Sequence, residues 1–115
     1  MTVYESKLTD ANLKFSHIYI TSFYRKLPPD VFGGTNARAP ARRLMHLEFR
    51  TGHIDTFVPT HASGRPRTFF QNRTFVREFF KHTGAEPGDV VRFEQVTPYH
   101  LRLSLRTTAG RVIAA

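Results

Sequence analysis

Arg65, Arg67, Gln71, Asn72 and Arg73 fall within nine positions, in a stretch with no acidic residue from Thr56 through Arg77. A guanidinium fork can clamp a phosphate or pair with O6 and N7 of guanine, and a carboxamide can pair with N6 and N7 of adenine. These side chains hold and discriminate a polyanion. They do not break bonds.

Bond-breaking chemistry finds little material elsewhere. Cysteine is absent, which removes thiol nucleophiles, disulfides and Cys-based zinc sites. Ser6, Ser16, Ser22, Ser63 and Ser104 lie in no G-x-S-x-G context. His17, His46, His53, His61, His82 and His100 form neither H-E-x-x-H nor a tight ligand pair, so no metal and no cofactor is expected, though His53 and His61 could meet across a strand end. Gly33-Gly34 lacks the spacing of a phosphate-binding loop. One pattern competes. Pro29-Asp30 followed by Glu48-Phe49-Arg50 loosely resembles the Pro-Asp, acid-x-Lys layout of metal-dependent nucleases, in which two carboxylates hold Mg²⁺. Arg50 stands where lysine is required and does not readily release a proton, so the chain is expected to be non-catalytic.

The charge distribution points the same way as the opening segment. Residues 25–73 carry nine Lys/Arg (Arg25, Lys26, Arg38, Arg42, Arg43, Arg50, Arg65, Arg67 and Arg73) against Asp30, Glu48 and Asp55, which is +6 of a net +8. Arg outnumbers Lys thirteen to four over the whole chain. Such a one-sided field attracts polyanions and speeds their association. Leu13–Ile20, Leu44–Phe49, Ile54–Val58, Thr68–Phe70, Val90–Val96 and Leu101–Arg106 have the composition or alternation of strands. Leu101, Leu103 and Leu105 are expected to point inward, as are Met45, Leu47 and Phe49, and the last residues could add a short strand. Phe75, Val76, Phe79 and Phe80 form one stripe of a helix that Asn72 or Thr74 would cap and Gly84 would end. These phenylalanines are expected in the core rather than as a stacking platform for single strands. Of Phe69 and Phe70, one should pack inward and the other cover an end of the fold. The 115 residues suffice for one domain, with its core at about 14–106. No run is long and apolar enough for a membrane span, and the start lacks the layout of a signal peptide, so a cytoplasmic or nuclear setting fits.

In order, "RTFFQNRTFVREFFKHTGAEPGDVVRFEQV" and "LRLSL" resemble the plant B-three DNA-binding domain. That family has an aromatic strand, a short helix carrying Phe-Val, a turn ending in Gly-Asp, and V-x-F in the next strand. Phe75-Val76, Gly88-Asp89, Val91 and Phe93 stand at those places. "LPPDVFGG" resembles the family's Pro-Lys segment with Asp30 for the basic residue, and Thr74-Phe75 replaces the usual Trp. Bacterial relatives of this pseudobarrel serve as target-recognition domains of restriction endonucleases, and "SHIYI" and "PYHLRLSLR" are closer to that branch. The resemblance implies a mainly β, seven-stranded open barrel with short helices. It implies sequence-specific binding of double-stranded DNA through the major groove by two basic arms, monomeric as an isolated domain, with any nuclease elsewhere in a longer chain. Arg65, Arg67, Gln71, Asn72 and Arg73 would belong to the C-terminal arm. The N-terminal arm has two placements: Ser22–Lys26, with Ser22, Arg25 and Lys26, or the loop Gly34–Arg43, with Asn36, Arg38, Arg42 and Arg43. An RNA or single-strand-binding small barrel and a nuclease using Asp30 and Glu48 are the alternatives.

Overall fold

Strict alternation in "LRLSLR" and "MHLEF" leaves one apolar row on each segment, and both segments are strands whose rows face the core. The computed structural model describes residues 2–35 and 38–114. The strands are β1 (Val3–Lys7), β2 (Met45–Phe49), β3 (Gly52–Thr56), β4 (Val90–Thr97), β5 (His100–Arg106) and β6 (Val112–Ile113), with helices α1 (Asp10–Phe15) and α2 (Arg73–Thr83). They build one mixed sheet in the order β1-β4-β5-β2-β3. Neighbouring pairs are antiparallel except β2–β5, which is parallel and sets His46 beside His100, Leu47 beside Leu101 and Glu48 beside Arg102. The second half of β5 pairs instead with β6. β6 thus continues the row of β2, and the Arg50 N–H reaches the Ala114 carbonyl at 3.2 Å.

The core lies between the inner sheet face and α2. Met45, Leu47 and Phe49 of β2, Val91 and Phe93 of β4, and Leu101, Leu103 and Leu105 of β5 are all buried against it. The helix forms where its spacing requires. The Asn72 side chain caps the first turn by accepting from the Phe75 N–H at 2.6 Å, and Gly84 ends the helix in the left-handed region. Its stripe of Phe75, Val76, Phe79 and Phe80 is buried, with the Phe49 ring 5.2 Å from Phe75 and 5.5 Å from Phe79. The Gly88-Asp89 turn has a structural role. The buried Asp89 carboxylate accepts the Glu86 N–H at 2.9 Å and the Thr108 N–H at 3.1 Å, tying the start of β4 to the loop after β5.

Several expectations change. Leu13–Ile20 is not a strand. Thr9 and Asn12 form a capping box that starts α1, and Ser16 closes it at φ 55°. Local capping outweighs the β propensity of the apolar residues, and only Ile18 and Ile20 keep the inward alternation. Thr68–Phe70 is not a strand either, because its link to the neighbouring segment is one bond, from Ile20 N–H to the Thr68 carbonyl at 2.7 Å. The packed unit is broader than 14–106: Val3–Lys7 pairs with β4, and Val112–Ile113 with β5. Six strands are present among the described residues rather than seven. The end strands β1 and β3 do not pair with each other, so the sheet stays open. The Cα radius of gyration is 13.3 Å, close to the ~13–14 Å of a single packed body of this length. Among the described residues, no helix is long and apolar enough to cross a membrane.

Phe79 is fully buried at the centre of the aromatic stack. Phe79→Ala is expected to destabilise the fold by about 3–5 kcal/mol, read as a lowered midpoint in urea; an unchanged midpoint would remove the helix stripe from the core.

Candidate nucleic-acid interface

The acid-free segment leaves β3 as a hairpin of its own. Thr60 and Pro66 form an antiparallel bridge, the His61 N–H bonds the Arg65 carbonyl at 2.8 Å, and Gly64 takes φ +87° at the tip. Pro66 has no N–H to extend the ladder, so the hairpin stops there and carries Arg65 and Arg67 on its return limb. Its base is closed by Gln71 N–H to the Phe57 carbonyl at 2.9 Å and by the Thr56 hydroxyl to the Gln71 carbonyl at 2.7 Å. Phe70 is the buried member of the aromatic pair. Phe69 lies half-buried against the His17 ring, 4.2 Å between centroids.

Two other basic segments flank this hairpin. On one side, Phe23 anchors a 3₁₀ turn at Tyr24–Lys26 by stacking on Tyr4 at 4.6 Å and packing on Phe93 at 5.0 Å. Arg25 and Lys26 are thereby left exposed, and the Ser22 hydroxyl donates to the Glu5 carbonyl at 3.1 Å. Tyr24 lines an open cleft of about 330 Å³ together with His61, Arg65, Pro66, Arg67 and Phe69. On the other side, Gly33 and Gly34 run beside Val58–Thr60: the Gly33 N–H bonds the Val58 carbonyl at 2.9 Å, and the Thr60 N–H bonds the Gly34 carbonyl at 3.0 Å. Gly33-Gly34 as a pair has the composition of a turn. They are required instead by close approach, since a Cβ on Gly33 would sit 2.6 Å from the Phe57 ring and 2.7 Å from the Ala41 nitrogen.

The sequence-derived residues therefore divide by environment. Arg25, Lys26, Arg42, Arg65 and Arg73 are exposed and Arg67 half-buried, and none of the six has a carboxylate partner within 4 Å among the described residues. Arg38 is exposed. Arg43 lies over the Tyr99 ring, its Cζ 3.5 Å from the centroid, while the Tyr99 hydroxyl donates to Asp30 Oδ1 at 2.8 Å. That bond to Asp30, with burial and the aspartate charge, pushes the Tyr99 hydroxyl above its ordinary range against the opposing effect of Arg43. Asn72 is committed through its side-chain oxygen to the helix cap, which leaves only its NH₂ for other partners. Gln71 is half-buried at the hairpin base. Asn36 lies outside the described residues.

The structure also gathers residues that the spacing did not bring together. His46 and Glu48 share the outer face of β2, and the parallel register brings His100 alongside them. His53 faces this group, 5.6 Å from the His46 ring, while His61 sits in the basic hairpin. The alternation of "MHLEF" could have put His46 and Glu48 on one face. Nothing local announces the pairing with β5. Asp30 and Glu48 are held separately, by Tyr99 and by His100 with Arg102. No protein-family model matches this chain, and no curated protein or solved structure does.

His17 is held below its ordinary pKa, first by burial against Phe69 and then by the charge of Arg73. A lowered imidazole pKa adds stability that is complete above the unfolded value and is lost as pH falls through the folded one. His17→Phe should flatten that part of the curve of thermal midpoint against pH, and NMR titration should find the His17 midpoint below that of a free imidazole.

Proposed function

We propose that this chain is a non-catalytic module that binds double-stranded DNA sequence-specifically, as an open pseudobarrel of the B-three type. Its setting would be the target-recognition domain of a bacterial restriction endonuclease, with cleavage performed by a separate domain of a longer chain. It would then work in the bacterial cytoplasm on DNA, or in the nucleus if the source is eukaryotic. One observation carries this: Tyr24 of the turn that carries Arg25 and Lys26 lines the cleft formed with Arg65 and Arg67, and also the separate groove lined by Arg25 and Lys26. Two basic segments joined at one aromatic wall suit a grooved polyanion better than a flat surface does.

The roles follow from chemistry. Arg65 and Arg67, at the hairpin, are the candidates for guanine edges, and Gln71 for adenine. Arg25, Lys26 and Arg73 would hold phosphates and set the register. Between the two placements of the N-terminal arm, Ser22–Lys26 is favoured because its Tyr24 lines the cleft together with Arg65 and Arg67. Arg38 and Arg42 then serve as flanking phosphate contacts. A single-strand platform draws no support, since the helix phenylalanines are buried. Asp30 and Glu48 have separate partners, so no observation favours the nuclease reading.

The test is selection from a randomised duplex pool in EDTA at two salt concentrations. Enrichment of a short motif is expected, and salt-sensitive binding without enrichment would reduce the function to phosphate attraction. Arg65→Ala or Arg67→Ala should each weaken binding to the enriched site by about 1–3 kcal/mol and relax one base position. Arg25→Ala should instead weaken all sequences alike and lower the salt slope by about one.

A further inference from the structure

We propose that His46, Glu48 and His100 form a binding site for a divalent transition-metal ion of the zinc class on the outer face of the sheet. The site stands apart from the basic cleft, because its ligands come from β2 and β5 rather than from the arms. One ligand atom from each of the three residues can be chosen such that all lie within 4.8 Å of one another. Two imidazoles with one carboxylate is a donor set suited to zinc, cobalt or nickel and unsuited to Mg²⁺, which prefers all-oxygen ligands.

Three observations favour an ion over a plain polar surface. First, His46 Nδ1 lies 2.8 Å from Asp55 Oδ1, across the β2–β3 pair. A carboxylate there holds the proton on Nδ1 and leaves the Nε2 lone pair available, which is how outer partners orient metal-bound histidines. Second, His100 Nε2 is buried and makes no directional hydrogen bond, although Glu48 Oε1 is 3.0 Å away. A buried ring nitrogen without a hydrogen bond is costly unless something else satisfies it. Third, Arg102 Nε donates to Glu48 Oε1 at 3.0 Å and so orients the carboxylate, as outer partners do for metal-bound carboxylates. Ligand nitrogens around zinc at ~2.0–2.1 Å sit closer together than the present spread, so the three side chains would draw together around the ion with the His46–Asp55 contact kept.

The experiment is calorimetric titration of the chelator-dialysed chain with Zn²⁺, alongside Co²⁺ titration followed by visible absorption. One ion per chain is expected, with cobalt d–d bands that Zn²⁺ abolishes. Asp55→Asn should weaken Zn²⁺ binding by about 10- to 100-fold, a His46→Ala/His100→Ala double variant should lose it, and His82→Ala should leave it unchanged. Should the double variant fail to fold, Glu48→Gln and the wild-type cobalt spectrum carry the test. A wild-type chain with neither saturable Zn²⁺ heat nor cobalt bands would overturn the proposal, as would a folded double variant that binds as tightly as wild type.

Discussion

The parallel pairing of β2 with the first half of β5 is the contact on which the rest of the molecule depends. Its inner side sets Leu47 beside Leu101 and closes the apolar floor on which Phe49 meets Phe75 and Phe79. Its outer side sets His46 beside His100 and Glu48 beside Arg102. A slip of one residue would turn both rows over at once, burying charge and exposing leucine. The packing that makes the core therefore also fixes the geometry of the polar outer face. Because β2 covers only part of β5, the remaining edge is free for β6.

The loops exploit the rigidity of this frame. The hairpin from Thr60 to Pro66 has few bonds of its own and is held by what flanks it: Gly33 and Gly34 on one side, Ile20 and Tyr24 on the other. Apolar anchors below it, among them Phe23 and Phe70, are buried, so the cations above can be presented without being pulled into the core. The ion pairs lie elsewhere, largely on the outer sheet face: Arg102 with Glu48 and Glu94, and Arg106 with Glu5. That segregation leaves the cleft electropositive although the chain has nine acids to seventeen Lys/Arg. Exposed pairs of this kind add little stability.

Much of the architecture was legible wherever a local rule operates alone. The stripe of Phe75, Val76, Phe79 and Phe80 specified α2, with Gly84 as its end and Asn72 or Thr74 as its start, of which Asn72 is the cap, and alternation specified β2 and β5. Legibility failed where two local rules compete. Leu13–Ile20 has strand composition, but Thr9 and Asn12 build a helix cap before it begins. It failed again at the edge strand β1, whose residues are at most half-buried and so show no apolar row. The candidate cleft was legible in its composition only: Arg65 and Arg67 stood out as cations, whereas Tyr24 as the shared wall did not.

The order of residues thus settles, without any fold, the excess of arginine over acid, the absence of thiol chemistry, the inward rows of β2 and β5 and the phase of α2. Each of these follows from residue type or from a period of two or 3.6 positions. Which distant segments become neighbours is another matter. His46 and His100 are 54 positions apart, and Tyr24 and Arg65 are 41. Bringing such segments together costs chain entropy that no local interaction repays. Only burial of the whole core offsets that cost, so the cleft and the histidine cluster exist as properties of the assembled sheet.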